Sequence, residues 1–202
     1  MKFFWEARKV IALSALVYAV LKLIFVFGFV SQYIEQITLY ALIVILTSLG
    51  LNVIYGYTGQ FSLGHAAFYG MGAYMSAYLT KIFGIENVFT YIPILFISGA
   101  AAGLVGYLIG MPILRLRDDF LAIATLGFGT LVRVFLDNSD KFAEVLGGSR
   151  GFVGIPRLTT FELAFLIVVF LILITRNLIF SRYGLFWRCI KSDELASASI
   201  GI

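Results

Sequence analysis

Residues Phe161–Ile179 read FELAFLIVVFLILITRNLI, an almost unbroken apolar run with a single acidic residue at its second position. About 20 mainly apolar residues in a helix are needed to cross the hydrocarbon core of a bilayer. A buried strand is much shorter than this run. The stretch therefore predicts a transmembrane helix.

Five other stretches have a similar composition: Val10–Val30, Tyr33–Ile54, His65–Phe83, Tyr91–Pro112 and Phe120–Asp137. The chain of 202 residues is 61% hydrophobic and only 13% charged, whereas a soluble domain carries about 25% charged residues. The alternation of polar and apolar residues that marks a membrane β-barrel is absent from the sequence. We therefore predict an all-α fold, a polytopic transmembrane helix bundle of about six spans.

The first apolar run follows a basic N-terminus and is longer than the apolar part of a signal peptide, which has about 7–15 residues. We interpret it as a retained span. With the N-terminus in the cytoplasm, most basic residues fall in cytoplasmic segments, as the positive-inside rule requires. These residues are Lys2, Arg8, Lys9, Arg115, Arg117, Arg176, Arg182, Arg188 and Lys191. Both termini are predicted to be cytoplasmic.

Lys22 lies inside the first predicted span. A charge within a span often marks function, but a lysine also extends its ammonium group towards the interface. A first helix at the edge of the bundle is a third interpretation, and the sequence does not choose among the three.

The segment Gly50–Tyr74 reads GLNVIYGYTGQFSLGHAAFYGMGAY and joins two spans without a charged loop. Irregular backbone near membrane depth survives where it is buried in protein or lines a water-filled path. Broken helices at such places offer free backbone groups to a substrate. The segment is therefore a candidate lining of a translocation path. A tight cytoplasmic turn, with glycines chosen for packing, is the alternative.

Several kinds of chemistry find little support in the sequence. His65 is the single histidine and Cys189 the single cysteine, which excludes an internal disulfide and a cysteine/histidine metal cluster. A neutral His65, hydrogen-bonded within the bundle, is favoured over a proton relay. The basic residues form no stripe, so no nucleic acid is expected. No Walker-type motif is present, so ATP is not expected on this chain.

The last segment, from Arg182 onwards, reads RYGLFWRCIKSDELASASIGI and is too polar to enter the bilayer. An acidic pair, Asp193 and Glu194, opens a run of small residues, and Gly201 is suited to end a helix there. We divide the chain into a transmembrane domain, 1–180, and a cytoplasmic segment, 181–202. A short helix that docks on a partner protein is predicted, with a solvated amphipathic tail as the alternative.

Four motifs carry a resemblance to a known family. Gly59–Phe68 reads GQFSLGHAAF and follows Gly50–Asn52, Arg115–Arg117 reads RLR, Leu121–Leu126 reads LAIATL, and Gly147–Pro156 forms a glycine-rich loop. In this order they resemble the inner-membrane permeases of branched-chain amino acid ABC importers, and specifically the histidine-containing permease of the pair.

The resemblance implies a function and a set of partners. The chain is expected to be a non-enzymatic, multi-pass permease that works with a second permease subunit, two cytoplasmic ATPase subunits that bind ATP, and an extracytoplasmic substrate-binding protein. No cofactor is expected on this chain. We assign the substrate path to Asn52, Gln60, Ser62, His65 and Thr125. We assign coupling to the ATPase to Asp193, Glu194, Leu195, Ala196 and Gly201.

The sequence leaves alternative functions open. Related permeases import urea or short amides. A transporter or channel that needs no ATPase is the alternative of another class, although such proteins often carry carboxylates in mid-span and none of the acidic residues here lies at such a position. Members of the family continue through several more spans. The chain is therefore expected to be C-terminally truncated relative to them.

Overall fold

The computed structural model describes residues 2–27, 31–116, 118–142 and 146–201, and every regular element within these ranges is helical. Six long helices correspond to the six predicted spans. They are α1 (Lys2–Val26), α2 (Gln32–Leu51), α3 (His65–Ile82), α4 (Val88–Ile113), α5 (Asp118–Asp137) and α6 (Phe161–Ile179). The all-α prediction is confirmed, while Val30 and Arg117 lie outside the described residues.

Shorter elements connect or extend the long helices. A π-helical segment, Asn52–Tyr57, continues directly from α2. In the described part of the connection between α5 and α6, 3₁₀ turns are formed by Ser139–Lys141 and Gly148–Arg150. Two short helices follow α6, namely α7 (Arg182–Ser192) and α8 (Glu194–Ser199).

The surfaces of the long helices are apolar. Leu13 on α1, Leu104 on α4 and Leu166 on α6 are 65%, 61% and 66% exposed, which water would penalise in a folded protein. Among the described residues, four helical stretches are long and apolar enough to cross a membrane: Gln32–Tyr57, Val88–Ile113, Phe120–Asp137 and Phe161–Ile179. The chain is a multi-pass membrane protein, and six spans agree with its six long helices.

The chain divides into two compact units. Unit 1 consists of Met1–Gly59 and Thr159–Ile202, and unit 2 consists of Gln60–Leu158. The boundary proposed after residue 180 separates a transmembrane domain from a cytoplasmic segment. It is a different kind of boundary from the division into compact units, and it stays a prediction.

The core of unit 1 lies between α6 and α2. Phe161, Ala164 and Val168 on α6 and Leu42 on α2 are buried there. Phe161 and Val168 are each at most 5% exposed. Burial of a large apolar side chain stabilises a fold in water by about 1.5–3 kcal/mol. In lipid the same contacts act through close packing, because the surroundings are also apolar.

Helix α1 runs antiparallel to α6. Near its C-terminal end, the Phe25 ring lies 5.1 Å from the Phe161 ring, edge to face, and Tyr18 lies 5.3 Å from Phe165. Between these contacts the Lys22 ammonium group forms an ion pair and a hydrogen bond with the Glu162 carboxylate. Lys22 therefore has a partner in the first turn of α6. The sequence left the role of Lys22 open, and the structure shows that its charge is paired with Glu162.

The joint between α6 and α7 is tight. Gly184 is buried, and a Cβ atom there would lie 2.0 Å from the Ile179 carbonyl oxygen. The Arg188 guanidinium donates to the carbonyls of Gly184 and Ile179, at 3.3 and 3.1 Å. The bond to Ile179 satisfies a carbonyl at the end of α6, where the last carbonyls have no partner within the helix.

Unit 2 is built around α3, which contacts both α4 and α5. A Cβ atom on Gly106 of α4 would lie 3.2 Å from the Phe68 ring of α3, so this glycine permits close helix packing. Gly99 and Gly103, on the same helix, have open space where a Cβ would be placed. Of these three glycines on α4, Gly106 alone makes a close packing contact within unit 2.

Candidate translocation and coupling sites

The segment between α2 and α3 has the irregular backbone that its glycine content predicts. The π-helical segment ends at Tyr57, residues 59–64 form no helix, and α3 begins at His65. Gly59 has a φ angle of +75°, a conformation that other L-residues rarely adopt. The chain therefore leaves the helix at Gly59, within a segment that starts and ends next to membrane-spanning helices.

The π-helical segment lies in unit 1 and is capped by side chains. A π-helix is rare and occurs frequently at functional sites. The Thr58 hydroxyl donates to the carbonyl of Ile54, one turn back. The Lys191 ammonium group, on α7, donates to the carbonyl of Gly56 at 2.7 Å. Two carbonyls of the segment are thus bound by side chains, one from the neighbouring Thr58 and one from Lys191, which is distant in sequence.

Asn52 is the first residue of the π-helical segment and is exposed. Its side chain covers Gly56, because a Cβ atom on that glycine would lie 2.3 Å from Asn52 Oδ1. Any larger residue at position 56 would therefore collide with the Asn52 side chain. The assignment of Asn52 to the substrate path is not tested by this contact.

The other four proposed path residues lie in unit 2. Gln60 and Ser62 are half-buried in the irregular segment, and His65 is the first residue of α3. The Thr125 hydroxyl, on α5, accepts a hydrogen bond from the Leu63 N–H at 3.1 Å. The structure thus brings Thr125 to the backbone of the segment that contains Ser62 and His65.

Thr125 acts as a support for this segment. Its hydroxyl also donates to the Ala122 carbonyl at 2.9 Å. Next to it, a Cβ atom on the buried Gly64 would lie 2.2 Å from the Thr125 carbonyl oxygen. One on Gly129 would lie 3.3 Å from the Gly64 Cα atom. Residues 63 and 64 therefore rest directly on the backbone of α5.

His65 is half-buried and its ring lies 6.3 Å from that of Phe68, in an edge-to-face arrangement. Within the described ranges, the side chains form no group of three or more histidine, cysteine or carboxylate residues suited to a metal ion. The His65 ring thus packs against Phe68 at the start of α3.

The predicted C-terminal helix is present as α8, in unit 1. Asp193 precedes it with extended backbone, and its carboxylate accepts the Ala196 N–H at 3.0 Å. The Ser197 side chain, 4% exposed, donates to the Asp193 carbonyl at 2.7 Å. The helix ends before Gly201, whose φ angle is +82°. An N-cap and a left-handed glycine thus bound the helix.

Most of α8 faces outward. Leu195 is 66% exposed, and Ile200, which follows the helix, is 72% exposed. Glu194 and Ala196 are also exposed. Leu195 on this six-residue helix and Ile200 at its end, next to the Glu194 carboxylate, form a surface suited to contact with another protein.

Unit 2 also contains a cavity of about 480 Å³ among α3, α4 and α5. Its lining is mainly apolar and includes Met71, Tyr78, Val105, Phe128 and Leu136. Ser139, which is 2% exposed, contributes a hydroxyl that has no hydrogen-bond partner among the described residues. The cavity suits an apolar group. It could not be predicted from the sequence because most of its lining residues are spread over three helices.

The glycine-rich loop before α6 is fastened to α3. The Tyr74 hydroxyl donates to the Gly148 carbonyl at 2.9 Å, and the Tyr74 ring meets that of Phe152 at 5.4 Å. A Cβ atom on Gly147 would lie 2.1 Å from the Gly151 carbonyl oxygen. The glycines of this motif therefore allow a compact loop.

Sequence reasoning missed two residues that hold these sites. The sequence indicates only a cytoplasmic charge at Lys191 and only a motif position at Leu63. Their contacts join positions 135 and 62 residues apart. The available signal was the nearby glycines, since Gly56, Gly59 and Gly64 mark places where another group approaches the backbone.

Comparisons with known proteins agree with these features. The family model described as "Branched-chain amino acid transport system / permease component" matches residues 33–202. The range includes both the irregular segment and α8. No solved structure matches the chain.

Curated relatives come from bacteria and an archaeon. The high-affinity branched-chain amino acid transport system permease protein LivM of Escherichia coli (strain K12) is 34% identical over 86% of this chain and 47% of the relative. LivM of Salmonella typhimurium is 33% identical over the same shares. The probable branched-chain amino acid transport permease protein LivH of Methanocaldococcus jannaschii is 25% identical over 84% of this chain and 57% of the relative.

The chain spans about half the length of these relatives. The family match covers most of the chain, and the six long helices have the apolar surfaces that a permease needs. The chain therefore belongs to the family of branched-chain amino acid transport permease components.

Proposed function

We propose that this chain serves as a permease subunit of an ATP-driven importer of branched-chain amino acids. The observation that carries the proposal is the family match over 33–202, which includes the helix break at 59–64 and the exposed helix α8. A permease needs a path through which the solute passes, for which the helix break is suited. It also needs a surface that contacts the ATPase, for which α8 is suited. The names of the LivM and LivH relatives support the substrate class.

The substrate path is proposed to include Asn52, Gln60, Ser62, His65 and Thr125. In unit 2 the irregular segment and its contact with Thr125 support this assignment, because non-helical backbone at membrane depth suits a water-filled lining. The Leu63–Thr125 hydrogen bond holds the segment in place. Thr125 then contributes by positioning the segment, while Gln60, Ser62 and His65 supply polar side chains along it.

Coupling is proposed to occur through α8. Leu195, Ile200 and Glu194 form the exposed surface, and Asp193 and Gly201 fix the ends of the helix. On this proposal two cytoplasmic ATPase subunits bind and hydrolyse ATP, a second permease completes the path, and an extracytoplasmic binding protein delivers the substrate. The chain itself carries out no catalysis.

Helix directions support single crossing by all six long helices. Lys22, late in α1, meets Glu162 at the start of α6, so these two helices are antiparallel. Gly56, just after α2, meets Lys191 beyond the end of α6, so α2 and α6 end on the same side. An odd number of crossings must then separate α2 from α6, which favours crossing by α3, α4 and α5. A cytoplasmic N-terminus follows from the distribution of basic residues.

Uptake of labelled substrates tests the proposal. Cells with and without the gene are given labelled leucine or labelled urea at micromolar concentration. Loss of leucine uptake alone on deletion is the expected result, and restoration by the gene completes it. Loss of urea uptake alone would replace the amino acid with an amide as the substrate. No change in leucine uptake, with the full set of partner subunits expressed, would contradict the proposal.

A second experiment tests the role of α8. Glu194→Trp and Ala196→Trp place bulky groups on the exposed surface of the helix. Leucine transport is expected to fall at least about tenfold relative to ATP hydrolysis, because a contact region tolerates little added volume. Unchanged uptake in both variants would overturn the assignment.

A further inference from the structure

The Gly56 carbonyl is bound by a side chain from a helix that is remote in sequence. Lys191 Nζ donates to this oxygen at 2.7 Å, and the two residues are 135 positions apart. Lys191 lies in the last turn of α7, and Asp193, the N-cap of α8, follows two residues later. The contact therefore connects the π-helical segment to the start of the proposed coupling helix, within unit 1.

The backbone on the other side of this contact is shaped to admit the lysine. A Cβ atom on Gly59 would lie 3.1 Å from Lys191 Cγ and 3.6 Å from Lys191 Cα. Gly59 also adopts a φ angle of +75°. The glycine thus allows both the exit of the chain from the helix and the close passage of the lysine stem. Two separate features of one residue agree with a built contact rather than a chance encounter of surface groups.

The bound oxygen is one that the helix cannot satisfy by itself. The last carbonyls of any helix lack partners within it, and a cation near a helix C-terminus also interacts favourably with the helix dipole. Lys191 supplies both the donor and the charge. At the other end of the π-helical segment, Asn52 covers Gly56 from within the segment. The lysine therefore contacts the part of the backbone that Asn52 also contacts.

We propose that Lys191 is a positioning residue that transmits displacement of the α7–α8 pair to the π-helical segment. The inference rests on the proposed function, because it assigns a route to the coupling proposed for α8. Only Asp193 separates α8 from α7, so a push on α8 moves Lys191. Withdrawal of its ammonium group leaves the Gly56 carbonyl without this donor and allows the end of the segment to rearrange.

The contact itself is tested on the chain alone in lipid nanodiscs. Amide hydrogen exchange is measured for residues 52–59 in the wild type, Lys191→Met and Lys191→Arg. Methionine keeps the stem and removes the donor, so exchange is expected to become roughly 3- to 10-fold faster. Arginine restores most of the protection. Arg182→Met, which removes a charge from the first turn of the same helix, leaves exchange at 52–59 unchanged.

The transmission is tested in the complete importer, reconstituted in vesicles with its binding protein. The number of labelled leucine molecules imported per ATP hydrolysed is expected to fall roughly tenfold in Lys191→Met and to recover in Lys191→Arg. A merely structural role would lower transport and hydrolysis together, or lower the amount of assembled complex, and would overturn the inference. So would unchanged exchange at 52–59 in Lys191→Met. A wild-type importer that carries no leucine would contradict the proposed function instead, and the exchange measurement would still decide on the contact.

Discussion

The Lys22 ammonium group on α1 is paired with the Glu162 carboxylate on α6, between two aromatic contacts that join the same helices. Each charge thereby has a counter-ion at the end of an antiparallel helix pair. Unpaired charges on membrane-spanning helices are costly and rare. The pair allows α1, the first long helix, to pack on the bundle despite the lysine.

The first prediction concerns this pair. Lys22→Met and Glu162→Gln are each expected to lower the amount of folded protein in the membrane several-fold, because each leaves one charge without its partner. Protein in membranes is measured by quantitative blotting, together with protease resistance. The double variant, which removes both charges, is expected to recover towards the wild-type amount. Double-variant levels below those of both single variants would contradict the interaction.

Gly64 is predicted to tolerate no side chain. In Gly64→Ala the new Cβ would lie 2.2 Å from the Thr125 carbonyl oxygen, so the segment or α5 must shift. The expected cost is about 1–3 kcal/mol, measured as a lower midpoint of thermal unfolding in detergent.

Gly127→Ala is the matched control for Gly64, since Gly127 lies on α5 with open space at its Cβ position. This change is expected to be neutral or to stabilise by roughly 0.5–1 kcal/mol, because alanine favours a helix over glycine. Equal destabilisation by both substitutions would show that the close approach of Gly64 to α5 has no special importance.

Thr125 is predicted to act through its hydroxyl. Thr125→Val keeps the shape of the side chain and removes the acceptor for the Leu63 N–H, at an expected cost of about 1 kcal/mol. Faster hydrogen exchange at Leu63 is the measurement. Thr125→Ser keeps the oxygen and is expected to retain both protection and leucine uptake. A protected Leu63 amide in the valine variant would contradict this role.

Asp193 is predicted to set the start of α8. Asp193→Ala removes the acceptor for the Ala196 N–H, and loss of such a cap costs about 0.5–2 kcal/mol. Retention of the ATPase subunits during purification is expected to decrease, because α8 becomes less ordered. Asp193→Asn keeps an oxygen acceptor without the charge and is expected to retain the partner. If the asparagine variant fails as severely as alanine, the charge rather than the cap is the important feature.

Much of the fold follows from the sequence because the signal is local. Each long helix is a run of apolar residues whose length matches the bilayer, and the boundaries of α6 agree with those predicted. The helix break after Tyr57 was visible as a cluster of glycines, and the end of α8 as Gly201. These features depend on residues that are neighbours along the chain.

The remaining features depend on contacts between distant positions. The partner of Lys22 lies 140 residues away, and nothing in the apolar run around Glu162 identifies it. The π-helical geometry at Asn52–Tyr57 differs from an α-helix only in hydrogen-bond register, which the residue types do not specify. The motif around Thr125 predicts a path residue, whereas its bond to Leu63 depends on the packing of α5 against the irregular segment.

The tight joint at Gly184 has a mechanical consequence. A hinge needs a few residues whose backbone angles are free to change, but here a buried glycine touches the end of α6 and Arg188 bonds across the corner. Helices α6 and α7 are therefore expected to rotate as one rigid body. With the 19 residues of α6 spanning about 28 Å at 1.5 Å per residue, a small displacement at the α7 end of the pair is expected to tilt the whole helix about its packed aromatic end.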